Sequence, residues 1–330
     1  MFYTKKIQNL IKEKYKDYIQ KYSHKKFDDA VKELGRDKAI KIDNFFRDIK
    51  SANEYNKPFY RIMLPEYSSC NDSRYKSEYV LNPSYCKERI SLCRAYQIIQ
   101  KDLVNLFEYI EPCDDNKATY SHRTFELLIR AAIEFEANCK GILKANGYPK
   151  KLEKMNITDY AKINEITQLS SYKVILNLWH PQPLEIQPFI EWENGHSLSC
   201  YQSYNQVKHN RDKHFKESSL ENTLKAIAGL FCILYAQFDI HCANPYRPVK
   251  IYKEDKEEED IFHYSYDKKD NIISLDGIIF DLEEPDILAS YYLDSCYYYD
   301  LGDENIESFY QFPFHDSQIN SIIESYNIEN

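Results

Sequence analysis

Hydrophobic residues recur at helical spacing over three long stretches of the chain. In residues 87–110 and 121–146 they fall three and four positions apart, and in residues 218–238 almost every position is apolar. Ser121 stands before the second stretch and Gly147 follows it, as expected for a helix N-cap and C-cap. The pattern therefore predicts three long helices, of which the second and third lie in the core.

The flanking stretches carry weaker patterns. Residues 7–34 alternate apolar positions with lysines, which predicts a basic amphipathic helix or helix pair that ends at Gly35. Residues 168–192 lose helical periodicity and contain prolines, so we interpret them as an extended connection between helices that includes a candidate short strand at 173–179. A terminal helix is predicted around 317–326. Strands are predicted at 248–252, 261–266 and 271–280, with Asp276-Gly277 as a hairpin signal.

These elements predict a mainly α protein in three parts. Residues 1–86 form a basic, helical N-terminal extension followed by an irregular connection. Residues 87–244 form a helical bundle. Residues 245–330 form a small, acidic, partly β C-terminal region with α+β character.

The composition argues against phosphate-binding loops and against standard metal-binding motifs. Only 7 of the 330 residues are glycine, and no two have the spacing of a phosphate-binding loop. The 9 cysteines include no C-x-x-C pair, and no H-E-x-x-H motif occurs. We therefore expect neither a metal nor a cofactor.

The distribution of apolar residues also bears on location. The longest uncharged apolar run, residues 226–238, is well short of the roughly 20 residues needed to cross a bilayer. No apolar segment follows the lysines of the N-terminus, so no secretory signal is visible. The expected location is the cytoplasm, without membrane contact.

Charge is concentrated in blocks. The net charge is −9, but residues 1–50 carry 14 Lys+Arg against 8 Asp+Glu, whereas residues 251–330 carry 4 against 21. The densest acidic stretch, residues 254–260, has two interpretations. It is a solvated loop, or it is an acidic arm that covers a basic surface and competes there with nucleic acid.

One predicted core helix also carries charges in a regular stripe. Arg123, Glu126, Arg130 and Glu134 recur at steps of three and four residues, which places them on one face with alternating sign. Burying unpaired charges is costly, so the stripe must face water, an oppositely charged helix or a cleft.

A second polar segment precedes the last apolar helix and reads Tyr-Asn-Gln-Val-Lys-His-Asn-Arg over residues 204–211. With the charged helix before it, this segment resembles the HEPN superfamily of helical-bundle proteins over roughly residues 87–240. The family hallmark is Arg-x(4–6)-His, usually with Asn after the Arg. Asn205 and His209 keep the Asn-to-His spacing, whereas Tyr204 stands where the family has Arg.

The resemblance implies a prokaryotic antiviral-defence, abortive-infection or toxin-type protein that cleaves RNA without metal as a homodimer. In that interpretation His209 is the base, Asn205 orients the phosphate, and the cations Lys208, Arg211 and Arg130 stabilise its charge. Glu126 and Glu134 then hold the basic groups in place.

Two other interpretations use the same residues. Lys208, His209 and Arg211 neutralise Glu126 and Glu134 in a buried ion network that locks the bundle, or the cluster senses a ligand. A bundle locked in this way suits a non-catalytic protein with a degenerate HEPN site, which dimerises or binds a partner encoded in a defence or toxin-antitoxin operon.

Overall fold

The computed structural model describes residues 5–50, 60–62, 85–238, 242, 264–267, 272–275, 279–283 and 311–326. Within these ranges the protein is mainly helical, as predicted. None of the helices in this part is long and apolar enough to cross a membrane. The predicted strand at 248–252, the acidic segment 254–260 and the Asp276-Gly277 turn lie outside the described residues.

Twelve α-helices and five strands in the described ranges make up the fold. The helices are α1 (Lys5–Lys14), α2 (Lys16–Tyr22), α3 (Phe27–Leu34), α4 (Arg36–Lys50), α5 (Arg89–Leu106), α6 (His122–Ala145), α7 (Ile157–Tyr160), α8 (Asn164–Thr167), α9 (Ser199–His209), α10 (Arg211–His214), α11 (Leu220–Phe238) and α12 (Asp316–Ser325). The strands are β1 (Lys173–Leu176), β2 (Leu184–Ile186), β3 (Tyr264–Asp267), β4 (Ile272–Leu275) and β5 (Asp281–Glu283).

The central bundle is built around α11, in which all but three of the 19 residues are buried. Helix α11 packs most extensively on α6, and also on α5 and α9. The predicted cap of α6 is confirmed, because the Ser121 side chain accepts a hydrogen bond from the Thr124 amide. Gly147, at φ +71°, follows the end of the helix. Apolar burial over such a contact is the main source of bundle stability.

Buried polar contacts fix how α6 and α11 are aligned. The Thr223 hydroxyl donates to the carbonyl of Thr124 at 3.1 Å near one end of the contact. Near the other end, the Gln237 side-chain amide donates to Asn138 Oδ1 at 2.8 Å. A sliding of one helix along the other would leave these groups unpaired in the core, which costs roughly 1–3 kcal/mol for each group.

A mixed-origin sheet flanks the bundle, and its strands have the order β2-β1-β5-β4-β3 with antiparallel pairing. Strand β1 lies within 168–192, the stretch that the sequence suggests is a connection, and it pairs with both β2 and β5. Strands from the predicted bundle and from the predicted C-terminal region thus share one sheet. Phe280, beside β5, belongs to the main core.

The N-terminal helices form a second core together with the C-terminal helix. Residues 7–34 are divided among α1, α2 and α3 rather than forming one helix or a pair, and α3 ends at Gly35 with φ +84°, as predicted. The Tyr15 hydroxyl donates to the carbonyl of Ile323 at 2.6 Å. The buried residues of this second core are Ile11, Tyr15, Tyr22, Ile42, Phe45, Ile319 and Ile323.

The C-terminal segment is tied to the bundle at Asn146, immediately after α6. The Asn146 side chain donates to the carbonyl of Tyr60 at 2.9 Å and accepts from the Phe312 amide at 2.5 Å. The Gln318 side-chain amide donates to the Asn146 carbonyl at 2.7 Å. One buried asparagine therefore connects the main core with α12 and, through it, with the N-terminal helices.

Candidate functional site

Helix α9 has one buried face and one exposed face, and the candidate site residues lie on the exposed face. Cys200, Tyr201, Tyr204 and Val207 are buried against α6 and α11 at helical spacing. Ser203 is buried as well, whereas Asn205 is partly exposed and Lys208 and His209 are exposed. The three polar side chains lie at i, i+3 and i+4, which places them on one face of the helix.

The chain turns sharply after His209, and the segment that follows also carries basic residues. Asn210 adopts φ −149° and ψ 75°, and its side chain accepts a hydrogen bond from the Lys213 amide, which begins the short helix α10. The exposed cations of this region, together with the exposed imidazole of His209, form what we call the basic surface: Lys208, His209, Arg211, Lys213 and Lys216. In the described structure no ion pair joins them to a carboxylate.

Lys208 has a defined position on this surface. Its ammonium group donates to the Tyr204 hydroxyl at 2.8 Å and lies 4.8 Å from the centre of the Tyr204 ring. The hydrogen bond with Tyr204 raises the pKa of Lys208, against the lowering effect of burial, and Glu136 raises it further. Lys208 is therefore a fixed cation at neutral pH.

Glu136, a carboxylate of α6 outside the charged stripe, contacts the buried face of α9. The Tyr201 hydroxyl donates to Glu136 Oε1 at 2.8 Å, and the Lys140 ammonium binds Glu136 Oε2 at 3.1 Å. Burial and the bond to Glu136 both raise the pKa of Tyr201, so this phenol stays neutral. The only sequence signal for this contact is the i,i+4 spacing of Glu136 and Lys140.

The charged stripe of α6 is engaged elsewhere. Arg130 Nη1 lies 2.5 Å from Asp102 Oδ2 on α5, and Arg123 pairs with Glu126 at 2.9 Å. Burial raises the pKa of Glu134, whereas Arg130 lowers it. These contacts place the stripe on the α5 side and on the outer side of α6.

The two predicted groups of site residues are therefore not brought together. Nine residues of an α-helix correspond to about 180° of rotation, so Arg130 lies on the opposite side of α6 from the buried Cys139. Glu136, which Tyr201 of α9 contacts, lies about 120° around the helix from Arg130. Arg130 does not replace the missing motif arginine beside His209, and Glu126 and Glu134 do not hold Lys208 and Arg211. The buried ion network is likewise not formed.

An aromatic cluster borders the basic surface. The Phe215 ring lies 5.5 Å from the ring of Tyr120, 5.0 Å from that of His122 and 6.0 Å from that of Phe125. Backbone bonds hold this edge together, because the Leu220 amide donates to the carbonyl of Thr119 at 2.8 Å. The first turn of α6, which contains His122, has no acidic residue, so the amino end of the helix adds positive potential here.

A pocket of about 20 Å³ opens between α6, α9 and α11 beside Phe189, with an almost wholly apolar lining that includes Gly229. That volume admits roughly one water-sized group. This pocket is therefore too small to hold a nucleotide. Within the described ranges, no three His, Cys, Asp or Glu side chains cluster as metal ligands.

Comparison of the chain with protein-family models, with curated proteins and with solved structures finds no significant match. The resemblance to HEPN proteins therefore depends on the residues of the sequence itself. The function has to be inferred from the geometry of the exposed face of α9 and its surroundings.

Proposed function

We propose that the protein binds RNA on the basic surface and cleaves it without metal, as a HEPN-like component of a prokaryotic antiviral-defence or toxin-type system. The observation that carries the proposal is the shared, exposed face of Asn205, Lys208 and His209 on α9. Cations without carboxylate partners attract a polyanion because phosphate binding releases condensed counterions. The whole chain has a net charge of −9, so this positive charge is confined to one part of the surface.

The chemistry requires one proton acceptor and charge stabilisation. Neutral His209 takes the proton of the ribose 2′-hydroxyl, the 2′-oxygen bonds to phosphorus, and the bond from phosphorus to the 5′-oxygen breaks. The departing 5′-oxygen takes a proton from water. Lys208 and Arg211 stabilise the negative charge on the phosphate oxygens, and Asn205 donates a hydrogen bond that orients the phosphate.

The replacement of the motif arginine by tyrosine is consistent with this arrangement. Tyr204 is only 1% exposed, so its side chain belongs to the core rather than to the surface that a substrate touches. Its hydroxyl positions the ammonium group of Lys208 one turn later. Lys208, which precedes His209 in the sequence, thus supplies a cation that Tyr204 holds in place.

Cleavage of end-labelled single-stranded RNA and of tRNA, with and without EDTA, tests the proposal. We expect cutting that resists EDTA and falls roughly 10²- to 10⁴-fold in His209→Ala. The matched control is His196→Ala, because His196 is also exposed but precedes the opposite end of α9. Absence of cutting by the wild-type protein, or equal loss in both variants, would contradict the proposed activity.

A second candidate function is self-association through the outer face of α6. Two antiparallel copies of this helix would place Arg123 opposite Glu134 and Arg130 opposite Glu126, so that the stripe complements itself about a two-fold axis. Ile133, on the same face, is 50% exposed. This observation favours a homodimer, with or without catalysis.

Light scattering during size-exclusion chromatography distinguishes this candidate from a monomeric protein. A dimer that uses the α6 face should dissociate in Ile133→Arg. It should persist in Ile90→Arg, because Ile90 is an equally exposed isoleucine on α5. A monomeric wild-type protein, or a dimer that survives Ile133→Arg, would exclude this interface.

A further inference from the structure

Tyr120 is an exposed aromatic side chain held in a fixed position. It is 49% exposed, and its ring packs edge-on against Phe215, with the ring planes at 84°. A backbone bridge to Ser219 and the bond from Leu220 to Thr119 restrain the strand-like segment that carries it. An aromatic ring ordered before binding loses little conformational freedom when a planar group stacks on it.

The position of this ring relative to charge suggests its ligand. Phe215, which supports Tyr120, follows Arg211 by four residues and Lys213 by two, and Lys216 comes next, so residues 211–216 hold three basic residues and one acidic residue, Asp212. The ring of His122 lies 5.0 Å from Phe215 and adds a second exposed aromatic ring to the same edge. An aromatic face beside cations without carboxylate partners is the combination that binds the base and the phosphate of a nucleotide together.

We propose that Tyr120 is a base-stacking position and that the substrate of the basic surface is single-stranded RNA. The inference rests on the proposed RNA binding and adds its substrate class. Bases within a duplex already stack on both faces, and only an unpaired base offers a free face to a protein side chain. A strand whose phosphates contact Arg211 and Lys213 can place such a base on Tyr120.

The chain contains a matched control for this assignment. Tyr109 is 84% exposed, and so even more accessible than Tyr120, but Glu108 and Glu111 flank it. Exposure alone would make Tyr109 the better stacking residue. The local charge predicts the opposite, because carboxylates repel the phosphates of an approaching strand.

Fluorescence anisotropy with a short, unstructured, labelled oligoribonucleotide tests the proposal, with a duplex of equal length for comparison. Tyr120→Ala should weaken binding of the single strand roughly 5- to 150-fold, whereas Tyr120→Trp should retain it. Tyr109→Ala should bind as the wild type does. Since Tyr120→Ala removes no charge, the dependence of affinity on salt should stay unchanged, whereas Lys213→Ala should reduce it.

The outcomes separate the two proposals. If the wild type binds the single strand and folded Tyr120→Ala binds it equally well, the stacking assignment is wrong and RNA binding stands. A duplex bound as tightly as the single strand overturns the substrate class in the same way. If neither RNA binds the wild-type protein at any salt concentration, the proposed function itself fails, and the stacking assignment fails with it.

Discussion

Tyr204 and His209 lie on the same helix, but replacing Tyr204 with alanine should cost far more stability than replacing His209. Tyr204 is 1% exposed, its ring packs 5.4 Å from that of Tyr201, and its hydroxyl accepts the hydrogen bond of Lys208. His209 is exposed, and in the described structure no side chain binds its ring. Comparing the two variants tests whether the buried face of α9 holds the fold together while its exposed face does not.

The expected magnitudes follow from these contacts. Removing a large buried aromatic ring costs about 3–5 kcal/mol, so Tyr204→Ala should lose that much of the free energy of unfolding. Tyr204→Phe removes only the acceptor of a partly exposed hydrogen bond and should lose about 1 kcal/mol. His209→Ala should stay within about 0.5 kcal/mol of the wild type, as surface substitutions do.

Urea unfolding followed by far-UV circular dichroism measures these differences, provided that all variants give the same dependence on denaturant. A loss in His209→Ala as large as that in Tyr204→Ala would refute the reasoning, because His209 would then belong to the packed interior. Tyr204→Arg should be as unstable as Tyr204→Ala, since a buried position receives a charge. Restoring the motif arginine therefore does not restore a family-type site.

Three further perturbations test the surroundings of the site. Burial raises the pKa of Asp159, but the hydrogen bonds from Lys150 and Tyr148 outweigh this effect and leave the pKa below its usual value. The ionised carboxylate therefore stabilises the folded protein at pH values above the pKa of the unfolded state. That stabilisation is lost as the pH falls through the pKa of the folded state. Asp159→Asn should therefore cost about 2 kcal/mol at pH 7 and nothing well below about pH 4, as measured by urea unfolding at each pH. The pKa of Glu134 is shifted in the opposite direction, because burial raises it, and the charged form of this side chain therefore opposes folding. Glu134→Gln should increase the free energy of unfolding by roughly 0.5 kcal/mol at neutral pH and leave it unchanged in acid. Asn146→Ala should cost about 2 kcal/mol and accelerate amide hydrogen exchange in residues 311–326; unchanged exchange there would contradict the role of Asn146 as the tie.

The long helices could be predicted because their signals are local. The apolar spacing of α5, α6 and α11, the Ser121 cap and Gly147 all act within one turn of the backbone. The N-terminal stretch was less predictable. Its lysines and apolar residues have helical spacing throughout and do not mark the breaks between α1, α2 and α3. Tyr15, at the first break, packs against α12, which lies far along the chain.

The candidate site was predictable only in part. The face that joins Asn205, Lys208 and His209 follows from helical spacing alone. The partners of the α6 stripe do not, because a regular stripe of charges fits water, a neighbouring helix or a cleft equally well. Asp102, which Arg130 binds, lies on α5 and has no sequence signature that pairs the two.

The sequence alone is enough to predict a mainly helical protein, the approximate positions of its longest helices and the side chains that share a face of α9. Each of these depends on interactions within a few residues. Tertiary structure alone decided that Tyr204 and Glu136 lie under the site, that Arg130 lies away from it, and that β1 joins strands from the C-terminal region. The physical reason is that burial and charge pairing depend on which surfaces meet, and residues far apart in the chain supply those surfaces.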